Sequence, residues 1–169
     1  RDMLALLKWT LPALSKLFAG LPTRVQIVAA GAPMRRGGLS GPRSIYLHAD
    51  RPLIGEDSTS PILHELMHSF MRARSGSDGD WVVEGIAELY SLEILRRSGT
   101  VTEDRYETAL KAIRKRARSG GKLRARSVTG DTRAKAVVVL MEINDAIYEA
   151  SGRVKSLDDV VRDLADLNE

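Results

Sequence analysis

The chain has 169 residues, 43% of them apolar and 28% charged, with a formal net charge of +4 and no cysteine. That length gives one domain with its own core, burying roughly two-thirds of the surface its unfolded chain exposes. The missing cysteines exclude disulfides and cysteine-based metal or redox sites, and no apolar run approaches the roughly 18 residues that would span a bilayer. Beginning at Arg1, the chain is expected to be a trimmed or processed piece of a longer protein, and a removed leader would favour a secreted or periplasmic location.

In chain order, residues 2–19 place Met3, Leu4, Leu7, Leu11, Leu14, Leu17 and Phe18 on one helical stripe. Their polar face is too sparsely charged for a membrane-surface helix, so the stripe is assigned to the core. Pro12 should kink this helix or split it in two, and Gly20-Leu21-Pro22 ends it. Residues 24–30 read as a strand. Residues 31–42, rich in Gly, Pro and Arg, read as a loop bordering a cleft, and residues 44–49 alternate like a second strand. His48 is taken as a surface or strand residue rather than a ligand.

The next segment carries the chemistry. Ser60 is a good N-cap, Pro61 suits the first helical position, and Gly76 stands just past the expected helix end. Leu63, Leu66, Met67, Phe70 and Met71 form its apolar stripe. Within it lies His64-Glu65-Leu66-Met67-His68. Two helical positions four apart differ by about 40° around the axis, so both imidazoles can reach one ion. Glu65 projects beside them, where its carboxylate can reach water on a metal without itself being a ligand. This is the pattern of a zinc hydrolase.

After a polar turn, Gly76 to Gly79, a second helix runs over 80–97, capped by Asp78 or Asp80. Glu84 follows His68 by 16 positions, enough for a helix end, a loop and a return, so its carboxylate can complete a two-histidine, one-carboxylate Zn2+ site with an open position. Glu88, one turn on, shares that face and can orient a ligand histidine through its free N–H. Gly85 weakens the helix by about 1 kcal/mol relative to Ala, which points to a packing or access requirement.

Thr102 caps a third helix reaching about Ser119, with Glu103 and Asp104 in its first turn. Between Lys111 and Arg126 eight basic residues accumulate without an acid. No aromatic residues are interleaved for base stacking, so a solvated face or attraction for an acidic substrate is expected rather than nucleic-acid binding. Residues 132–150 form a helix that buries the run Ala136 to Met141 and ends at Gly152. Ser156 and Asp159 open a last helix, 157–167, with a capping box.

His64-Glu65-Leu66-Met67-His68 followed by Trp81-Val82-Val83-Glu84-Gly85 resembles the gluzincin metallopeptidases, and most of all the glycyl aminopeptidase family of the aminopeptidase N-like group. The resemblance extends to Leu17 to Pro22, to Arg96 to Gly99 with Glu103 to Tyr106, and to Ser156 to Val160, so it covers most of the chain. It implies His64, His68 and Glu84 as zinc ligands and Glu65 as general base and acid. It also implies that the edge strand beside the zinc helix pairs with substrate backbone, a role for which residues 44–49 are the match.

Two positions depart from the family. The tyrosine that stabilises the oxyanion there has no counterpart in Asp131 to Ala136, where Arg133 is the candidate substitute. The segment that grips a substrate's free amine reads Gly37-Gly38-Leu39-Ser40-Gly41, without the glutamate. The expected fold is therefore α+β, a zincin-like (thermolysin-like) catalytic domain over 1–169, with a small N-terminal sheet followed by a mainly helical half. The expected activity is zinc-dependent hydrolysis of a peptide or protein substrate. The alternative is a zinc- and peptide-binding pseudoenzyme with impaired catalysis.

Overall fold

The computed structural model describes residues 1–34, 36–73, 80–124 and 128–167. Among the described residues, three strands and six helices follow one another. Helix α1 (Asp2–Leu17) precedes strands β1 (Gln26–Ala30), β2 (Gly38–Gly41) and β3 (Ser44–His48), and helices α2 (Pro61–Met71), α3 (Asp80–Arg97), α4 (Glu103–Ala117), α5 (Gly130–Ala150) and α6 (Leu157–Asp166) complete it. This is an α+β arrangement with the sheet in the N-terminal third.

The sheet order is β1-β3-β2, with β1 parallel and β2 antiparallel to β3. Two expectations are corrected here. Gly38–Gly41 is a strand rather than part of a loop, because the two-residue turn Pro42-Arg43 folds it back on β3, where Gly41 faces Ser44 and Gly38 faces Leu47. The segment 44–49 is not the edge strand, since both of its edges are paired; the free edge beside α2 belongs to β2. His48 is indeed a strand residue, and it is buried.

Helix α2 lies between the sheet and α3. The Ser60 side chain accepts from the Leu63 N–H, Pro61 opens the helix, and the expected stripe, Leu63, Leu66, Met67, Phe70 and Met71, is buried together with Ile62. The helix stops at Met71, where Arg72 adopts the left-handed conformation; Gly76 and Asp78 lie outside the described residues. Helix α3 occupies the expected span and packs on α1, α2, α4 and α5, so nearly every side of it from Gly85 onward is buried. Helix α1 is unbroken across Pro12, which sits on its exposed side, and its buried stripe uses Leu6 while Leu4 faces outward. The Ser156–Asp159 capping box opens α6, and Asp158 ties that helix to α3 by accepting from Tyr90 and both terminal nitrogens of Arg97.

Gly85 marks the closest approach in the helical half. A Cβ there would lie 2.8 Å from both the Ala136 Cβ and the Leu140 Cδ1 of α5. The expectation of a packing requirement is met, and the glycine sits between Glu84 and the α5 turn that follows Arg133. Gly85→Ala should destabilise the protein by about 1–2 kcal/mol in urea unfolding: forcing α5 outward outweighs the helix propensity gained. A variant as stable as the parent would show that the two helices can separate freely.

Candidate metal centre

The site is built by three helices and one strand around a cleft of about 900 Å³. From α2, His64 and His68 bring their Nε2 atoms to 3.1 Å from each other. From α3, Glu84 places Oε2 3.5 Å from His64 Nε2 and Oε1 3.3 Å from His68 Nε2. In a tetrahedral centre with bonds of 2.0–2.1 Å, neighbouring donors stand about 3.3–3.4 Å apart, and these three separations bracket that edge. Two imidazole nitrogens and a carboxylate oxygen are also the donor chemistry that suits a borderline divalent cation. His64, His68 and Glu84 thus form a group that could hold a metal ion.

The surrounding charges are closely interlocked. His64 Nδ1 lies 3.2 Å from Glu88 Oε2, an ion-pair distance at an angle short of a formed hydrogen bond. Arg133, from α5, sits 3.0 Å from Glu84 Oε2 and 3.8 Å from Glu88 Oε2. Burial opposes charge on His64, but the Glu84 and Glu88 carboxylates outweigh it and lift its pKa to about 9. Burial likewise opposes charge on Glu84, yet both imidazoles and Arg133 hold it well below the usual carboxylate range.

Glu65 projects toward the sheet. A Cβ on Gly38 would lie 2.6 Å from the Glu65 carboxyl carbon, so only a glycine lets the carboxyl rest against β2. The nearby Ser40 hydroxyl favours the ionised carboxylate there. Burial lifts the Glu65 carboxyl above its ordinary value, against the pull of the two nearby imidazoles. Glu65, His64, His68, Glu84, Glu88 and Arg133 all line the same cleft.

All six sequence-predicted site residues are therefore brought together. Gly38, Ser40 and Arg116 line the cleft as well and were not singled out as site residues. In the sequence the Gly37 to Gly41 segment reads as part of a loop bordering the cleft and as lacking a glutamate, with no role for Gly38 or Ser40. Arg116, one of the basic residues of α4, stays exposed while pairing with Asp131, 3.5 Å away, near the start of α5 at the border of the cleft. Among the described residues no tyrosine lines the cleft; Tyr90 and Tyr106 are bound to Asp158 and Glu93.

The sequence matches no family profile, and it matches no curated protein. Among solved structures, the chain is similar to an aminopeptidase N family protein from Idiomarina loihiensis, with a TM-score of 0.73 and 16% sequence identity. The superposition covers 98% of this chain and 36% of that one. At that identity the likeness is one of fold, and this chain spans little more than a third of the neighbour's length.

Proposed function

We propose that this chain is a zincin-like catalytic domain of a zinc-dependent peptide-bond hydrolase, with His64, His68 and Glu84 as metal ligands and Glu65 as general base. The observation that carries the reading is the set of three donor separations, 3.1, 3.3 and 3.5 Å, already spaced for a tetrahedral ion. The fold likeness to an aminopeptidase N family protein supports a peptidase reading over other zinc chemistries. A zinc ion bound there would supply Lewis acidity, polarising a substrate carbonyl and making water a stronger acid.

The chain's own groups then divide the work. Glu65, fixed between the histidine helix and β2, takes the proton from the attacking water and returns it to the leaving amine. Its raised proton affinity suits a group that must both accept and donate near neutral pH. Glu88 faces His64 Nδ1 and so orients the ring with Nε2 toward the centre. Arg133 holds the Glu84 and Glu88 carboxylates in place, and its guanidinium is the candidate donor to the carbonyl oxygen as that oxygen becomes negative. The free edge of β2 offers backbone groups to an extended peptide. The absence of a tyrosine among the described residues lining the cleft favours one second reading, a domain that binds zinc and peptide but turns over poorly.

Elemental analysis should find one zinc per chain, and His64→Ala should lose it. Glu65→Gln should keep the zinc while cleavage of a mixed peptide library falls by at least about 10³-fold, within the range of general acid–base catalysis. Zinc binding without sustained cleavage by the parent would select the second reading, and no zinc at all would end both.

Gly38→Ala offers a separate check. The three atoms nearest the new methyl all belong to the flexible end of Glu65, so melting temperature and zinc content should change little while turnover falls about 10²-fold. Unchanged turnover would show that Glu65 does not need its place against β2.

A further inference from the structure

A second cavity, of about 530 Å³, adjoins the cleft and shares Ser40, His68 and Ala73 with it. Its charge is of a different kind. The main cleft sets five carboxylates, including Asp57 and Asp80, against Arg51, Arg116 and Arg133. The second cavity is lined by Arg43 and Arg72, and among the described residues lining it there is no carboxylate. Neither arginine has an ion-pair partner among the described residues.

Both arginines are carried on anchored backbone. Arg43 is the second residue of the β2–β3 turn, with φ 54°, and Arg72 caps α2, with φ 50° and its N–H donating to the His68 carbonyl at 3.0 Å. Those are left-handed positions where glycine would be the easier residue. Ser69 donates to the Gly41 carbonyl at 3.1 Å and ties the helix to the strand between them. The C-terminal dipole of α2 accounts for a cation at Arg72 alone; it does not account for a second one at the turn facing the same cavity.

We propose that this cavity is a substrate subsite for a carboxylate, an acidic side chain or the free C-terminus, beside the bond held at the His64–His68–Glu84 centre. The inference rests on the peptide-hydrolase reading above. Planar guanidiniums bind carboxylates by paired, charge-assisted hydrogen bonds, and two of them with no ion-pair partner among the described residues, next to a cleft in which carboxylates outnumber arginines, sort substrates by charge.

The test uses zinc-loaded full chain and alanine-based peptides of one length, with Asp placed at each position in turn and the C-terminus free or amidated. Two quantities are read: kcat/KM, and binding of the same peptides to the Glu65→Gln variant by fluorescence anisotropy. One Asp position, or the free C-terminus, should improve both by about tenfold or more over the neutral amidated parent, and the arm that responds identifies the source. The double variant Arg43→Gln/Arg72→Gln should bring that ratio to within about twofold of one, while Arg43→Lys/Arg72→Lys should keep part of the preference. A parent with no acidic preference in either readout overturns the subsite, as does a preference that survives the double variant. An acidic preference in binding that disappears with Arg43 and Arg72, but with no cleavage of any peptide, supports the subsite and removes the hydrolase reading instead.

Discussion

The arrangement depends on how closely α5 approaches α3 at Gly85. A helix pair with a side chain at that point would be held further apart, and two groups of the site hang on either side of it. Glu84 immediately precedes the glycine, while Arg133 lies one turn before Ala136, whose Cβ would stand 2.8 Å from a Cβ at position 85. The one contact therefore sets both the carboxylate that faces the histidine pair and the guanidinium that holds that carboxylate, 3.0 Å apart. Packed interiors resist small displacements, so the donor separations at the centre inherit the rigidity of this helix contact. On the other side, α2 is pinned by its own apolar face and by Ser69 on Gly41, which fixes the histidines relative to β2.

What could be read from the sequence was whatever depended on local spacing. The histidine pair, the cap at Ser60, the span of α3 and the capping box at Ser156 follow from helix geometry over a few residues, and each is present. The first helix shows where that logic stops. Its apolar residues are so dense from Met3 to Phe18 that several stripes fit equally well, and the choice of Leu6 over Leu4 is made by the elements that cover it. Pro12 removes only the bond to the Lys8 carbonyl, and both residues lie on the exposed side where water serves instead, so no break is needed.

Strand β2 was illegible for a different reason. Gly38-Leu39-Ser40-Gly41 has neither the length nor the β-branched residues of a strand, and it becomes one because β3 supplies a partner across the Pro42-Arg43 turn. Its glycines, which read as loop punctuation, answer a steric demand from another part of the chain, the Glu65 carboxyl lying against Gly38. A residue selected by what packs on it from 27 positions away leaves no periodic trace. The same holds for Arg116, whose pairing with Asp131 at the border of the cleft is decided by where α5 begins.

The charge balance of the centre suits a divalent cation as its donor spacing does. Glu65, Glu84 and Glu88 crowd around His64 and His68 with Arg133 as the cationic side chain facing them. With the carboxylates ionised and the imidazoles neutral, the cluster carries two uncompensated negative charges in a partly buried cleft, a costly state. Against its burial, the Glu84 and Glu88 carboxylates lift His64 to about 9, and burial lifts Glu65 above its ordinary value. A proton on each imidazole would settle the charge but leave two cationic rings with their nitrogens 3.1 Å apart. A single ion of charge two between those nitrogens removes both difficulties, since each ring then offers a lone pair instead of a proton. Donor spacing and charge thus both suit a divalent cation, the kind of occupant proposed above.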